Sequence, residues 1–320
     1  MNQDEKKLVS VIIPTYKRSA KLSRAVRSVL NQTYSNVEVL VVSDNEPDDE
    51  FTLEACNMVD SFHDSRVRLV TQEHHKNGAA ARNAGIKASK GDYVAFLDDD
   101  DFWDKEKLEL QVPILNSLDE SWGGVSCKNK IFKGGKLTHL QLGYKDGYLY
   151  KKILLRMLEV STDTILLRKN CLVETGMFDE TLLRHQEVQM LAFFSHKYKI
   201  KLLDRYLCNV DIDDNQNRPN PEKLKKIKKD FLKAVEPITN TMSFYHRYTM
   251  KLIHRFEVGG VYYLSGDKWH GFTHSVSVLL SPTAMYVAAR RIFRRMKSHS
   301  LPEEFHNKTI NDYLKQNDLV

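Results

Sequence analysis

The sequence predicts an α/β fold in which a mostly parallel sheet has helices on both faces and is followed by a helical region. In the first hundred residues, short apolar runs typical of buried strands alternate with longer segments whose apolar residues have helical spacing. This alternation is typical of a parallel sheet. After the Asn- and Pro-rich segment Asn215–Pro221, the remaining segments have helical character. We therefore predict an α/β domain over residues 1–215 and a helical region over residues 216–320.

The first strand and the helix after it set the pattern of the α/β domain. VSVIIP is a continuous apolar run ended by proline, as expected of a strand buried on both faces, and Leu22, Val26 and Val29 then share one helical face. The predicted elements are the strand Val9–Pro14, the helix Ser19–Leu30, the strand Val37–Val42, the helix Phe51–Phe62, the strand Val67–Val70, the helix Asn77–Ser89 and the strand Tyr93–Leu97.

The regular alternation ends after Leu118. Glycine pairs at residues 123–124 and 134–135 flank short runs of β-prone residues and predict a hairpin. Ser281 suits a helix cap, and Pro282 suits the first position of the helix that follows. The helices predicted in this half are Leu149–Leu158, Glu187–Phe194, Glu222–Val235, Phe244–Phe256 and Ser281–Met296.

Composition limits the class of protein. Of the 320 residues, 42% are hydrophobic and 28% are charged, as in ordinary globular proteins. The four cysteines include no CxxC pair, which favours buried free thiols in a reducing compartment over a zinc site or a disulfide framework. The longest segment without Asp, Glu, Lys or Arg, Trp269–Ala289, contains histidines and a proline and does not read as a membrane span. We expect a cytoplasmic protein.

The net charge of +6 is unevenly distributed along the chain. Residues 221–320 carry 17 Lys and Arg against 9 Asp and Glu, a net charge of +8, and the rest carries −2. In the last long helix, Met285, Ala288 and Ile292 lie along one side, and basic residues lie largely elsewhere. This pattern suits peripheral docking on the inner face of the plasma membrane, on an acceptor, or on other copies of the chain. A helical cap packed on the α/β domain, with solvated charges, is the alternative.

Four consecutive aspartates, Asp98 to Asp101, follow the fourth strand and form the strongest functional signal. Adjacent carboxylates repel one another, which lowers stability unless a counter-charge is present. A divalent cation supplies that charge, and carboxylate oxygens suit Mg²⁺ or Mn²⁺ shared with the phosphates of a substrate. The alternative is a solvated acidic loop in which Asp101 or Asp104 caps the next helix.

Other polar side chains follow the first two strands. Pro14, Thr15, Tyr16 and Arg18 come after the first strand, and Asp44 ends the second. The carboxyl ends of parallel strands meet at one edge of the sheet, where ligands of α/β proteins bind. A ring, a hydroxyl and a carboxylate at that edge suit a nucleobase, although ordinary strand-to-helix loops have a similar composition.

Two further features suggest a phosphate contact and a general base. The helix that begins near Gly78 directs its N–H groups and Arg82 toward the same edge, which favours a diphosphate, although small residues also suit close helix packing. Neither a GxGxxG fingerprint nor a P-loop is present. Asp179, Glu180 and Glu187 precede or begin an apolar helix, which suits either a general base or acidic helix capping.

In their order, these motifs resemble the inverting family 2 glycosyltransferases of the GT-A fold, of the type that builds bacterial surface polysaccharides. The motifs are VSVIIPTYKR, VEVLVVSD, GAAARNAGI, GDYVAFLDDDDFW, GMFDE and QE, and they cover about residues 8–215. The resemblance implies metal-dependent, inverting transfer of a hexosyl or N-acetylhexosaminyl group from a UDP-sugar. The implied acceptor is a hydroxyl of a surface glycan or a polyol-phosphate polymer, and no nucleic-acid partner is implied.

The resemblance also implies a role for each matching residue. Thr15 and Tyr16 match positions that hold the nucleoside, Asp44 matches a carboxylate that reads the uracil edge, and Arg82 matches a diphosphate contact. The implied sites are a nucleotide-sugar site of Pro14, Thr15, Tyr16, Arg18, Asp44, Arg82, Asp98 and Asp99, a site for Mn²⁺ or Mg²⁺ at Asp98 and Asp100, and the catalytic base Glu187.

Two positions depart from the family pattern. The residues SDNE at 43–46 stand where Asp-Asp-Gly-Ser is frequent in the family. Glu187 follows Gln186, whereas the base of the family is usually an Asp that follows a Glu. The extra methylene group of Glu187 lengthens the reach of the base.

Three other functions remain open at this point. An aspartyl phosphatase also needs paired aspartates after a strand, but after its first strand rather than its fourth. A sugar-phosphate nucleotidyltransferase usually has a Gly-rich basic loop after the first strand, which PTYKRS matches poorly. A non-catalytic glycan- or membrane-binding protein would not need an intact aspartate run.

Overall fold

The computed structural model describes residues 6–17, 21–158, 160–212, 219–296 and 301–320. The strands are β1 (Val9–Thr15), β2 (Val37–Ser43), β3 (Val67–Thr71), β4 (Tyr93–Phe96), β5 (Phe102–Trp103), β6 (Trp122–Lys133), β7 (Lys136–Leu140), β8 (Ile165–Arg168) and β9 (Lys199–Ile212). The α-helices are α1 (Leu22–Leu30), α2 (Glu50–Asp60), α3 (Gly78–Ala88), α4 (Lys107–Ser117), α5 (Tyr150–Leu154), α6 (Lys169–Glu174), α7 (Gln186–Lys197), α8 (Pro221–Ala234), α9 (Glu236–Thr239), α10 (Phe244–Leu264), α11 (Lys268–Ser275), α12 (Pro282–Met296) and α13 (Ile310–Gln316).

The strands form one sheet in the order β3-β2-β1-β4-β8-β6-β9-β5, and β7 pairs with β6. The first four strands are parallel, as predicted, and the α/β class is confirmed. β8 then pairs antiparallel with both β4 and β6, and β9 runs parallel to β6. The predicted hairpin is confirmed as β6 and β7. β8 and β9 were not predicted, because their pairing depends on residues far away in the chain.

Apolar side chains of alternate residues supply a core on each face of the sheet. Ile12 and Leu40 pack on one face with α3, and Val11 and Val39 pack on the other. A Cβ atom on Gly85 of α3 would lie 2.5 Å from Cγ2 of Ile12, so glycine is what lets this helix lie close to β1. This close approach fixes the N-terminus of α3 at the carboxyl edge of β1 and β2.

The C-terminal helices extend one of these cores. Phe231, Ile253 and Ala284 belong to the same apolar cluster as Ile12 and Phe96 of the sheet. The three helices predicted after residue 215 are confirmed as α8, α10 and α12, and α10 continues well beyond the predicted Phe256. Across the residues described, no helix combines the length and apolar character needed to cross a bilayer.

Two predictions about the helices need correction. The helix predicted over Leu149–Leu158 is only α5, because Arg156 has a left-handed backbone (φ 54°) that cannot continue a helix. In α12, Ser281 caps the helix as predicted, since its Oγ accepts a hydrogen bond from the backbone N–H of Ala284 at 3.3 Å. The face of α12 toward the core matches the predicted apolar side only in part: Ala288 is buried together with Ala284 and Val287, whereas Met285 and Ile292 are exposed.

The last twenty residues return to the sheet. Thr309 forms a bridge with Lys136 beside β7, and the side chain of Asn317 donates to Asp104 at 3.1 Å. Tyr313 packs in an apolar cluster with Phe132 of β6. These residues therefore contact the α/β domain, although they were assigned to the helical region. The predicted linker lies partly outside the described residues, and the division of the chain at residue 215 stays a prediction.

Candidate functional site

A cleft at the carboxyl edge of β1, β2 and β4 brings most of the predicted site residues together. It has a volume of about 480 Å³ and lies beside the N-terminus of α3. Its lining includes eight predicted residues and four that were not predicted; Arg18 lies outside the described residues. The predicted residues are Pro14, Thr15, Tyr16, Asp44, Arg82, Asp98, Asp99 and Asp100, and the others are His75, Lys76, Asn77 and Gly78.

One end of this cleft carries an aromatic ring and a buried carboxylate. The ring of Tyr16 is 41% exposed and stacks on the imidazole of His75, with centroids 4.3 Å apart. The carboxylate of Asp44 accepts hydrogen bonds from Nε2 of Gln72 at 2.7 Å and from the backbone N–H of Lys76 at 3.1 Å. An exposed ring face beside a fixed carboxylate suits a nucleobase, which needs a stacking partner and an acceptor for its N–H group.

The other end of the cleft is organised by Arg82. Asn77 caps α3, because its side chain accepts from the N–H groups of Ala79 and Ala80. One turn later, the buried guanidinium of Arg82 donates to Oδ1 of Asp98 at 2.6 Å, and its Nη1 lies 3.7 Å from Oε1 of Glu187. A single arginine therefore holds the aspartate run and the predicted base at one place.

A group of carboxylates surrounds the end of β4. Oxygens of Asp98, Asp101 and Asp163 lie within 4.8 Å of one another. Asp163 is buried, and it accepts from the backbone N–H of Asp98 at 2.9 Å and from Oγ of Ser161 at 2.6 Å. Burial, followed by the negative charge of Asp98, raises the pKa of Asp163 to about 7. Burial together with the charge of Asp163 also raises the pKa of Asp101 well above its usual range.

The donor atoms of this group fit a divalent cation. They are hard carboxylate oxygens, which Mg²⁺ and Mn²⁺ prefer, and one oxygen from each of the three residues lies within 4.8 Å of the other two. Asp100, predicted as the second ligand, lines the cleft but is not among these three residues. Its role in metal binding stays a prediction.

The structure does not support a purely capping role for the aspartates. Asp104 does not cap α4; its carboxylate accepts from Nζ of Lys130 and from Nδ2 of Asn209, each at 2.7 Å. Asp101 accepts from the backbone N–H of Asp211 at 2.9 Å. Both carboxylates thus bind groups on the neighbouring strands β6 and β9 and are fixed inside the protein.

Glu187 lies in the first turn of α7, and its side chain is 37% exposed. It lines a second cavity, of about 270 Å³, together with Asp98 and Thr162. His185 at the N-cap makes no side-chain capping bond. Asp179, the other acidic candidate, accepts from the backbone N–H and Oγ1 of Thr181 and closes a local turn. Glu187 is therefore the better-placed carboxylate for a proton transfer near Asp98.

Sequence reasoning missed Asp163 and His75. Asp163 lies in the polar segment STDT directly before β8, and a carboxylate before an apolar run was a signal that could have been followed. Asp163 is 65 positions away from Asp98, and the contact between them depends on the antiparallel pairing of β8 with β4. The sequence alone does not show that pairing, so the contact was not predicted. His75 lies in a loop of polar residues that predicts exposure alone.

The chain is similar to known proteins in sequence and in fold. The family described as Glycosyl transferase family 2 matches residues 10–170. Over 133 residues, the chain is 39% identical to the UDP-Glc:alpha-D-GlcNAc-diphosphoundecaprenol beta-1,3-glucosyltransferase WfgD of Escherichia coli, covering 41% of this chain and 51% of that protein. The chain thus spans about half the length of this relative.

Two solved structures share the fold at low sequence identity. Staphylococcus aureus TarS 1-349, solved in complex with UDP-GlcNAc, has a TM-score of 0.60 and 15% identity, and the match covers 84% of this chain and 90% of that one. The mannosyltransferase PcManGT from Pyrobaculum calidifontis, solved with GDP-Man and Mn²⁺, has a TM-score of 0.57 and 13% identity, with coverages of 97% and 86%. These likenesses confirm the GT-A fold predicted from the motifs.

Proposed function

The chain belongs to glycosyl transferase family 2, and from this premise we propose that it transfers a sugar from a nucleotide-sugar donor to a hydroxyl of a bacterial surface glycan or glycopolymer. The proposal rests on one observation: the cluster of three aspartates at the end of β4 lies beside Arg82 and Glu187, and Asp98 of this cluster lines both cavities. One cavity suits a donor and the other an acceptor. Family membership disfavours a phosphatase or a nucleotidyltransferase, and the intact aspartates disfavour a non-catalytic binding protein.

The donor is proposed to be a UDP-sugar in the cleft beside α3. Tyr16 would stack on the base, Asp44 would accept its N–H, and the hydrogen bond from Oγ1 of Thr15 to Asp99 (2.7 Å) would fix the floor of the site. Support comes from the name of the Escherichia coli relative, which gives UDP-Glc as its donor, and from the UDP-GlcNAc bound to the Staphylococcus aureus protein.

The metal is proposed to be Mn²⁺ or Mg²⁺, held by Asp98 with the carboxylates around it. Asp100 would approach it from the cleft, and Asp163 or Asp101 from the buried side. When bound, such a cation neutralises negative charge on the leaving diphosphate. The protein's own contribution is orientation: Arg82 fixes the Asp98 carboxylate, and the backbone N–H of Asp98 is held by Asp163.

Glu187 is proposed to be the general base. It lines the second cavity beside Asp98, so an acceptor hydroxyl there would lie within reach of its carboxylate. Arg82 holds the same carboxylate in place from the donor side. When one base removes the hydroxyl proton, the acceptor oxygen attacks the anomeric carbon and the nucleoside diphosphate leaves. With no covalent intermediate, this single displacement inverts the anomeric configuration. Such a base contributes about 10²–10⁴-fold in rate.

A thermal-shift screen of nucleotide sugars, with and without Mn²⁺, tests the proposed function. A true donor stabilises the folded state by mass action, so one UDP-sugar with Mn²⁺ should raise the Tm by several degrees more than UDP-sugars of the wrong hexose. Release of the free sugar and UDP on long incubation would then demonstrate turnover. No stabilisation by any nucleotide sugar, and no hydrolysis, would contradict the proposal.

We further propose that the helical region contacts an acidic lipid surface. Exposed apolar side chains are concentrated on α10, α11 and α12 and on the 3₁₀ turn Val276–Leu280, in the part of the chain with net charge +8. Aromatic and basic side chains in one region suit the membrane interface. The most exposed are Phe244 (76%), Trp269 (71%), Leu279 (65%), Leu280 (65%) and Leu264 (64%).

Sedimentation with vesicles tests this contact. The double variant Trp269→Ser/Leu280→Ser should lose binding to vesicles of phosphatidylcholine with 30% phosphatidylglycerol at low salt, a composition chosen for its acidic surface. The matched control is Leu53→Ser, which removes a side chain that is 59% exposed on the α/β domain. If the wild-type protein does not bind at low salt and forms oligomers that persist at high salt, the exposed surface packs against another copy instead.

A further inference from the structure

A third cavity lies where the helical region meets the α/β domain; we call it the seam cavity. It has a volume of about 300 Å³, near the lower end of the range for small-molecule sites. Its walls come from α8, α10, α12, the segment after α5, and the residues just before α7. They include Arg156, Arg184, His185, Lys228, Glu257 and Arg291.

The charges of this cavity are strongly unbalanced. Glu257 is buried and forms ion pairs with three cations: Nε of Arg156 lies 3.2 Å from Oε1, and Lys228 and Arg291 also contact the carboxylate. Arg184 also lines the cavity. A carboxylate offers about four lone-pair sites, far fewer than the N–H donors of two guanidiniums and an ammonium. Burial lowers the pKa of Lys228 to about 8 despite the opposing effect of Glu257.

A neutral histidine adds an unpartnered ring nitrogen to this lining. Burial lowers the pKa of His185 to about 3, so the imidazole carries no charge at neutral pH. Among the residues described, its Nε2 is a buried atom with no hydrogen-bond partner. Unpartnered buried polar atoms are rare and call for an explanation, and a bound ligand is one.

The seam cavity adjoins the proposed acceptor cavity. Arg156 lines both of them, and Glu187, which faces the acceptor cavity, follows His185 by two positions. Arg156 and His185 are both left-handed, with φ of 54° and 66°. Non-glycine residues in this conformation are uncommon and are frequently found at ligand sites.

We propose that the seam cavity binds the phosphate that carries the acceptor sugar, while a hydroxyl of that sugar reaches Glu187. The acceptor is then a glycosyl phosphate or diphosphate rather than a neutral glycan end. This inference rests on the proposed function, since it concerns the second substrate of the same reaction. A phosphate ester with about one to two negative charges matches the excess of cations, and guanidiniums bind its oxygens through paired hydrogen bonds.

The test compares two acceptors that differ only in phosphate. Octyl diphosphate-linked N-acetylglucosamine and octyl N-acetylglucosaminide are offered to the full chain with Mn²⁺ and its UDP-sugar, and kcat/KM is measured for each. The diphosphate acceptor should be preferred by roughly 100-fold or more, because several charge-assisted hydrogen bonds distinguish the two. Equal use of both acceptors would overturn the proposal.

Variants locate the preference in the seam cavity. Arg291→Gln should reduce kcat/KM for the diphosphate acceptor roughly 10- to 100-fold, mainly through KM, and leave the glucosaminide unaffected. Arg184→Gln, at an exposed position, should act in the same direction and keeps the test valid if the first variant does not fold. Arg255→Gln, exposed on α10 and remote from the cavity lining, is the matched control. A control variant that lowers the preference as much as Arg291→Gln would overturn the assignment.

Two further readouts separate the sources of failure. Hydrolysis of the UDP-sugar in the absence of acceptor reports on the proposed function alone. If the wild-type protein does not hydrolyse any UDP-sugar, the proposed function is contradicted, and the seam cavity is not tested by that result. Binding to phosphatidylglycerol vesicles reports on lipid headgroups. If Arg291→Gln weakens vesicle binding but not the use of the diphosphate acceptor, the cavity takes a phospholipid and the proposal fails.

Discussion

The donor cleft and the seam cavity have opposite charge arrangements. In the cleft, one buried arginine, Arg82, pairs with Asp98 and Glu187, and further carboxylates lie beside them. In the seam cavity, one buried glutamate, Glu257, pairs with Arg156, Lys228 and Arg291. Each site therefore has a central ion of one sign surrounded by an excess of the other.

This difference indicates what each site can bind. An excess of buried charge is unfavourable in the empty protein, because ions lose hydration that their partners replace only in part. The cleft gains most from a cation and the seam cavity from an anion. The cation with the diphosphate of its donor, and the phosphate of the acceptor, would then lie on either side of Glu187, where the donor and acceptor sugars have to meet.

The sharpest test of the cleft is Glu187→Gln. We expect the variant to bind UDP-sugar with Mn²⁺ as the wild type does and to lose transfer by about 10²–10⁴-fold, since only the proton acceptor is removed. Calorimetry and single-turnover transfer measure the two effects separately. Asp179→Asn is the matched control, and transfer near the wild-type rate in Glu187→Gln would show that another group is the base.

The central ion of the seam cavity is tested by Glu257→Gln. Removal of this carboxylate leaves three cations without their shared partner, and breaking a buried ion pair in this way costs about 3–5 kcal/mol in the free energy of unfolding. Urea unfolding measures the loss. Asp92→Asn, which breaks an exposed pair with Lys7, should leave the unfolding midpoint nearly unchanged. Equal midpoints for the two variants would show that Glu257 does not hold the seam together.

The cation preference of the cleft is tested by Asp100→Ala. We expect Mn²⁺ to tighten UDP-sugar binding by at least about 100-fold in the wild type and to have no effect in the variant. Mutation of a residue that only positions a metal ligand costs roughly 10–100-fold in metal affinity, and removal of the ligand itself should cost more. Calorimetry with and without Mn²⁺ measures this. If Asp163→Asn loses the effect and Asp100→Ala retains it, the cation lies at the buried group instead.

The two sites should also respond oppositely to acid. His185 has a folded-state pKa of about 3, below its unfolded value of about 6.5, so its stabilising contribution is complete above pH 6.5 and falls as the pH is lowered. The raised pKa of Asp163 acts in the other direction over the same range. We therefore compare His185→Gln with the wild type at each pH: the difference in free energy of unfolding should shift by about 2 kcal/mol between pH 6.5 and 5. A constant difference would contradict the burial of His185.

The contrast between the sites also explains what the sequence could predict. The cleft lies where successive parallel strands end, so local patterns placed Tyr16, Asp44 and Asp98 at one edge before the structure was known. Arg82 was predicted as a diphosphate contact, but its pairing with Glu187 across about a hundred residues was not predicted. Short-range periodicity carries information about strands and helices and none about such distant partners.

The seam cavity was not predicted because its residues come from five separate segments. Lys228 and Arg291 each lie on a basic helix, where a lysine or arginine usually faces water. Glu257 is the one acidic residue of α10 and belongs to no motif. Only the packing of α8, α10 and α12 brings them around one carboxylate. The inward position of Arg291 on α12 could not be predicted for the same reason.

The return of the last residues to the sheet has a consequence for exchanging parts between related chains. The contacts of Thr309 with Lys136 and of Asn317 with Asp104 attach the chain to the sheet a second time, after α12. The helices from Pro221 to Met296 are thus an internal cassette with two junctions. A chimera that takes its acceptor preference from another chain therefore needs compatible contacts at both junctions. A single crossover after β9 would also replace residues 301–320, which contact β7 and Asp104.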